Sequence, residues 1–187
     1  MSLARPRWAS PACWCAGPMN EPSVSALTCG RSPRWWRMRM ALATRPATEA
    51  DLPLLARMNK HLIEDEGSRN PMSFDQLAER MRGWLLGDWG VKLFLAGEAI
   101  VGYAVYQLRR DEYFPEQTIV YLRQLFVERE RRSRGLGAEA VALLVREHFP
   151  SGCTVVIDAL ASNPRGAAFW QKVGFAPYCA TMHLRPR

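Results

Sequence analysis

At 187 residues, 48% apolar and 23% charged, the chain suits one domain with a tail and has a globular composition, not a disordered one. No run of about 18 apolar residues occurs, which excludes a membrane-spanning helix; no repeat period or heptad seam is present, which excludes solenoids and coiled coils. The net charge of +7 is uneven, with +5 in residues 1–40 and only +2 in the remainder, so a nucleic-acid partner is not expected of the folded part.

Residues 1–39 hold Trp8, Trp14, Trp35 and Trp36 but no helical or alternating pattern. Pro6, Pro11 and Pro18 interrupt any apolar stretch and would break the amphipathic helix of a transit peptide. This stretch is expected to be an extension outside the domain, either a disordered tail or sequence upstream of a true start at Met38 or Met40. The five cysteines (Cys13, Cys15, Cys29, Cys153, Cys179) are odd in number and scattered. Free thiols in a reducing cytoplasm are therefore expected. The histidines His61, His148 and His183 are far apart, and no metal site is expected.

The domain is expected over residues 40–187. Residues 41–45 can form a short strand. After Pro46, Thr48 can cap a helix with Glu49 and Asp51 in its first turn and Leu52, Leu55, Met58, Leu62 and Ile63 at helical spacing. An acidic loop, Glu64-Asp65-Glu66-Gly67, ends it. Ser73 caps a second helix with the apolar face Phe74, Leu77, Met81 and Leu85. Val91–Ala96 and Ile100–Leu108, joined at Gly97-Glu98, read as a hairpin, and Thr118–Val127 as a third strand of the meander. A basic glycine-rich turn then opens a helix with the stripe Ala140, Val141, Leu144 and Val145. The apolar run Val155–Leu160 reads as a strand, Asn163-Pro164 starts a helix that stops at Gly174, and Tyr178–Leu184 reads as a last strand. The fold class is α/β (α+β): a mixed, mostly antiparallel sheet of six to seven strands flanked by about four helices.

The turn Arg132-Ser133-Arg134-Gly135-Leu136-Gly137 joins a strand to a helix N-terminus and so presents backbone N–H groups at the positive end of the helix, an arrangement suited to phosphate. No Gly-Lys-Ser/Thr follows and no third glycine is present, so it is neither a P-loop nor a dinucleotide fingerprint. A solvated basic turn is the competing reading.

Together with the element order, this turn resembles the acetyl-coenzyme A signature of the GNAT acetyltransferase superfamily, Gln/Arg-x-x-Gly-x-Gly/Ala. The later Asn163, Ala167 and Phe169-Trp170-Gln171-Lys172-Val173-Gly174-Phe175 resemble that family's Asn-then-aromatic-then-Gly-Phe helix. The resemblance covers residues 41–187. It implies that backbone amides from Arg132 through Ala138 (Arg132, Ser133, Arg134, Gly135, Leu136, Gly137, Ala138) hold the pyrophosphate of acetyl-CoA, the co-substrate. It further implies that the Leu125, Phe126 and Val127 segment pairs with the pantetheine arm and that Asn163 and Trp170 line the same cleft.

The implied reaction is direct attack of a primary amine, of a small molecule or a peptide, on the thioester in a ternary complex. An amine near pKa 10 must lose a proton before it attacks. Asp158, on the otherwise apolar run, resembles the position of the base in ribosomal-protein alanine acetyltransferases. The competing reading is a strand-end acid, solvated or paired with an arginine. Tyr121 resembles the position of a base histidine in arylalkylamine acetyltransferases, against a half-buried strand tyrosine. Trp170 stands where many members carry a tyrosine that protonates the departing sulfur. An indole N–H has no useful acidity, which leaves Tyr178 or solvent for that step. Glu64, Asp65 and Glu66 suit a cationic acceptor, against a solvated turn. A non-catalytic acyl-CoA-binding module and, further off, a nucleic-acid-binding protein using the loop arginines are the rival readings. A homodimer is compatible with a strand at the C-terminus.

Overall fold

The structure, a computed structural model, describes residues 42–184, and the extension expected over residues 1–39 lies outside them. In chain order the elements are β1 (Leu42–Pro46), α1 (Leu52–Asp65), α2 (Phe74–Leu86), β2 (Trp89–Ala96), β3 (Ala99–Arg110), β4 (Thr118–Val127), α3 (Leu136–Glu147), β5 (Thr154–Val156) and α4 (Pro164–Lys172). By internal contacts, residues 177–184 belong to a second unit and carry no helix or strand.

The sheet has the order β1-β2-β3-β4-β5, antiparallel throughout except for the parallel β4–β5 pair. Five strands replace the six to seven expected. The apolar run Val155–Leu160 pairs only as far as Val156. Ile157 still packs against the core beside β4, so its apolar character reflects burial and not a ladder, a distinction that hydrophobicity alone does not make. The strand expected over Tyr178–Leu184 is also absent: Tyr178, Met182 and Leu184 are exposed.

Alternation along β3 divides the interior. Ala104 and Tyr106 face α3 in a cluster with Val120, Leu122, Ala140 and Leu144. Tyr103 and Val105 face α1 and α2 in a cluster with Leu55, Met58, Met81 and Phe126. Each face of the sheet is thus covered by helices, as strand periodicity requires when both faces are apolar. Of the expected helical faces, Leu77 and Met81 of α2 are buried but Phe74 is exposed; in α3 Leu143 is buried and Val145 exposed.

The entry to α1 is fixed electrostatically. Thr48 and Asp51 form a capping box around a short 3-10 turn, and the Asp51 carboxylate accepts from both Arg45 Nη atoms at 2.8 and 2.7 Å. The Arg45 guanidinium and the Thr48 N–H and hydroxyl hold the Asp51 carboxyl down at about 2, against the opposing effect of burial. A depressed native pKa contributes stability that is complete above the unfolded value and is lost as pH falls toward the folded one. Asp51→Asn is therefore expected to lower unfolding free energy by about 2 kcal/mol at pH 7. In urea titrations the gap between the two proteins should shrink by about half near pH 3. A gap that does not change with pH would assign the loss to packing instead.

Candidate functional site

β4 and β5 pair at only three positions, Ile119↔Thr154, Val120↔Val155 and Tyr121↔Val156. Beyond Tyr121, β4 runs on to Val127 with β3 on one side and, among the described residues, no strand on the other. The sheet is therefore split from Leu122 onward. Leu125 and Val127 lie on this open edge and pack toward the α3-side core, while Phe126 is buried on the α1–α2 side.

The open edge leads into the turn before α3. No protein acceptor is found for the backbone N–H groups of Ser133 through Ala138 among the described residues, and the first return bond is Glu139 N–H to the Gly135 carbonyl at 3.1 Å. Ser133 and Gly135 take positive φ values of 61° and 79°, and Gly135 is the N-cap of α3 with no side chain to cap it. Consecutive free amides at a helix N-terminus form a cradle that suits a phosphate or diphosphate. Gly137 has a different reason to be glycine than ligand approach alone. A Cβ there would meet the Phe169 ring at 3.0 Å, so the two motifs are packed against each other.

The Arg132 side chain turns away from this cradle. It donates to the Val127 carbonyl at 2.8 Å and pairs with Asp65 at 2.6 Å. Asn163 spends its side-chain oxygen as the N-cap of α4, accepting from Gly166 N–H at 2.8 Å. Trp170 lies half-buried against the α3-side core, edge-on to Phe169 and Phe175.

On the opposite face, at the point where the strands part, lies an open cleft of about 550 Å³. α2 and β2 contribute Trp84 and Trp89, β3 contributes Arg109, and β4 contributes Tyr121 and Arg123. Val156 and Asp158 complete it from β5 and the segment after it. Arg123 is the extra residue of a bulge, since Val105 pairs with Gln124 while Tyr106 pairs with Leu122. A bulge of this kind re-aims side chains without breaking the sheet.

Tyr121 and Asp158, distant in sequence, meet here. The Tyr121 hydroxyl donates to the Asp158 carboxylate and accepts from Arg123 Nη1 at 2.6 Å, and Arg123 lies 3.6 Å from Asp158. The Arg109 guanidinium stacks over the Tyr121 ring at 4.1 Å. Burial and the bond to Asp158 push the tyrosine hydroxyl above its ordinary pKa, with Arg123 opposing. It therefore stays protonated near neutrality and acts as a hydrogen-bond donor to Asp158.

The three acids at the end of α1 do not form a common anionic surface. Glu64 and Asp65 belong to the helix, not to a loop, and are bound by Arg129 at 3.0 and 2.8 Å. Burial would raise the Asp65 carboxyl, but the guanidinium groups of Arg129 and Arg132 bring it below its ordinary value. Glu66 has no ion-pair partner among the described residues, and burial raises its carboxyl although the Arg123 charge opposes this. Tyr178 is 94% exposed and lies in the C-terminal segment described by itself.

Arg123, Arg109, Trp84 and Trp89 were not singled out from sequence. Arg123 follows Tyr121 at the period-2 spacing that puts both on one strand face, a signal for the first of them. The tryptophans bracket the α2–β2 turn, and only the fold brings them to β4.

Residues 55–175 match the acetyltransferase (GNAT) family, and the chain belongs to that family. Among solved structures it is similar to a Clostridium difficile 630 protein described as a "possible acetyltransferase", with a TM-score of 0.65 and 13% identity over 79% of this chain and 98% of that one. It is also similar to the aminoglycoside N-acetyltransferase AAC(6')-Iy in complex with CoA, with a TM-score of 0.61 and 20% identity over 78% and 95% of the two chains. A third is an aminoglycoside acetyltransferase from an uncultured soil metagenomic sample in complex with sisomicin, with a TM-score of 0.58 and 18% identity over 79% and 96%. No curated protein matches in sequence.

Proposed function

We propose that this protein is an N-acetyltransferase that moves an acetyl group from acetyl-CoA to a primary amine by direct attack in a ternary complex. The observation that carries this reading is the split in the sheet, which has a cradle of free amides at one end and a polar, aromatic cleft where the strands part. The aminoglycoside acetyltransferases among the structural relatives support an amine acceptor.

In this reading the amides of Ser133 through Ala138 neutralise the diphosphate at the α3 N-terminus. The open edge at Leu125 and Val127 pairs with the pantetheine arm as an added strand would. When bound, the co-substrate supplies an activated thioester carbonyl. Asp158 accepts the proton of the attacking amine, and Tyr121, donating to that carboxylate, orients it while Arg123 holds the tyrosine. Trp170 has only an N–H to offer, so protonation of the departing thiolate is assigned to solvent. Arg132 stands outside this cradle: its backbone N–H donates to the Arg129 carbonyl at 3.3 Å, and its side chain is committed to Asp65 and Val127.

Acetyl-CoA at a hundred times its Kd is expected to add about 2.7 kcal/mol to the stability of the full chain, raising Tm by roughly 5–10 °C. Adenosine alone should give no shift. Release of free thiol with an amine panel then separates an enzyme from an acyl-CoA-binding module: a shift without thiol release for any amine supports the module.

A further inference from the structure

The geometry points to an acceptor that carries an anionic group beside a flat apolar body, such as an aromatic α-amino acid, and not to a polycation. This rests on the acetyl-transfer reading above and names its acceptor class.

The charges at the cleft decide it. A cationic acceptor needs unpaired carboxylates; of those expected to serve, only Glu66 has no ion-pair partner among the described residues, and it does not line the cleft. Glu64 and Asp65 are held by Arg129 and Arg132, on the turn before α3. Asp158, on the cleft itself, faces Arg123 and the Tyr121 hydroxyl.

The cations are less well matched. Arg109 donates from Nε to Gln107 at 2.8 Å and stacks on Tyr121, but no carboxylate pairs with it among the described residues. Its terminal nitrogens therefore remain as donors at the cleft. Arg80, outside the lining, stands 5.1 Å over the Trp84 ring and donates from Nη2 to Asn59, while its Nε is buried with no acceptor. Burial and the nearby Arg123 charge lower the Arg80 pKa, with Tyr103 opposing. Arg109 and Arg123 against Asp158 leave the lining with one net positive charge. A guanidinium held on an aromatic face keeps its in-plane donors free for a carboxylate.

The remaining surface is aromatic and apolar. Trp84 and Trp89 lie 5.7 Å apart, and Trp89 is edge-on to Tyr121 at 6.2 Å. These rings suit an aryl or broad aliphatic group by stacking. An amine near Asp158, a carboxylate at Arg109 and a ring against the tryptophans together describe one small zwitterionic molecule.

The test uses pairs that differ only in the carboxylate: phenylalanine against phenethylamine and tryptophan against tryptamine, with spermidine as the polycation. Thiol release from acetyl-CoA is read on the full chain, and N-acetylphenylalanine and N-acetylphenethylamine are titrated by calorimetry. The acids are expected to exceed the decarboxylated amines at least 30-fold in kcat/KM. Arg109→Gln should erase that preference through KM, and Arg110→Gln should retain it.

Equal or faster turnover of phenethylamine or spermidine would overturn the acceptor assignment and leave acetyl transfer standing. Carboxylate-dependent, Arg109-dependent binding without thiol release from any amine would keep the site and overturn acetyl transfer. Binding indifferent to both the carboxylate and Arg109 overturns the inference directly.

Discussion

Gly135→Asp is expected to weaken acetyl-CoA binding at least 100-fold, a loss of about 2.7 kcal/mol. Two causes combine. Gly135 sits at φ 79° as the N-cap of α3, a conformation that costs a residue with a Cβ about 1 kcal/mol. The larger effect is electrostatic, because a carboxylate at the start of α3 would occupy the field of the free amides of Ser133 through Ala138 and repel a diphosphate. Gly135→Asn separates the two. Asparagine tolerates the left-handed region and brings no charge, so its affinity should fall less than 10-fold. Calorimetric titration with acetyl-CoA checks both, and equal losses in the two variants would trace the effect to the backbone.

The largest loss of stability is expected from Gly102→Ala. A Cβ at this position would lie 2.1 Å from the Phe126 carbonyl oxygen, and both residues are held in the ladder, Gly102 pairing with Val127 and Phe94. Neither strand can yield by a side-chain rotation, so β3 and β4 must separate. A cost of about 3 kcal/mol or more follows, which lowers Tm by roughly 6–12 °C. The displaced segment includes Phe126 and Val127, so affinity for acetyl-CoA should fall with it. Urea unfolding within 1 kcal/mol of the parent would mean that the strands are not this closely apposed.

What could be read from sequence is what is local. The caps at Thr48, Ser73 and Asn163, the hairpin at Gly97-Glu98 and the strand Thr118–Val127 are formed by neighbouring residues, and the structure keeps all of them. The helix-opening turn was legible for the same reason. Strand number was not, because an apolar residue such as Ile157 can pack, half-buried, against the core without a ladder partner. Nor was the availability of the acids: Glu64 and Asp65 read as free until the fold brings Arg129 and Arg132 across to them. Arg109 and the two tryptophans reach the cleft from separate elements, a convergence that no spacing encodes.

The opening between β4 and β5 has a second consequence. Leu122 through Val127 form a ladder edge with no strand of the described residues beside it, and apolar side chains at four of its six positions. Such an edge serves as a template for any extended chain, including another copy of this one. A ligand that completed the ladder there would also shield this edge from such pairing.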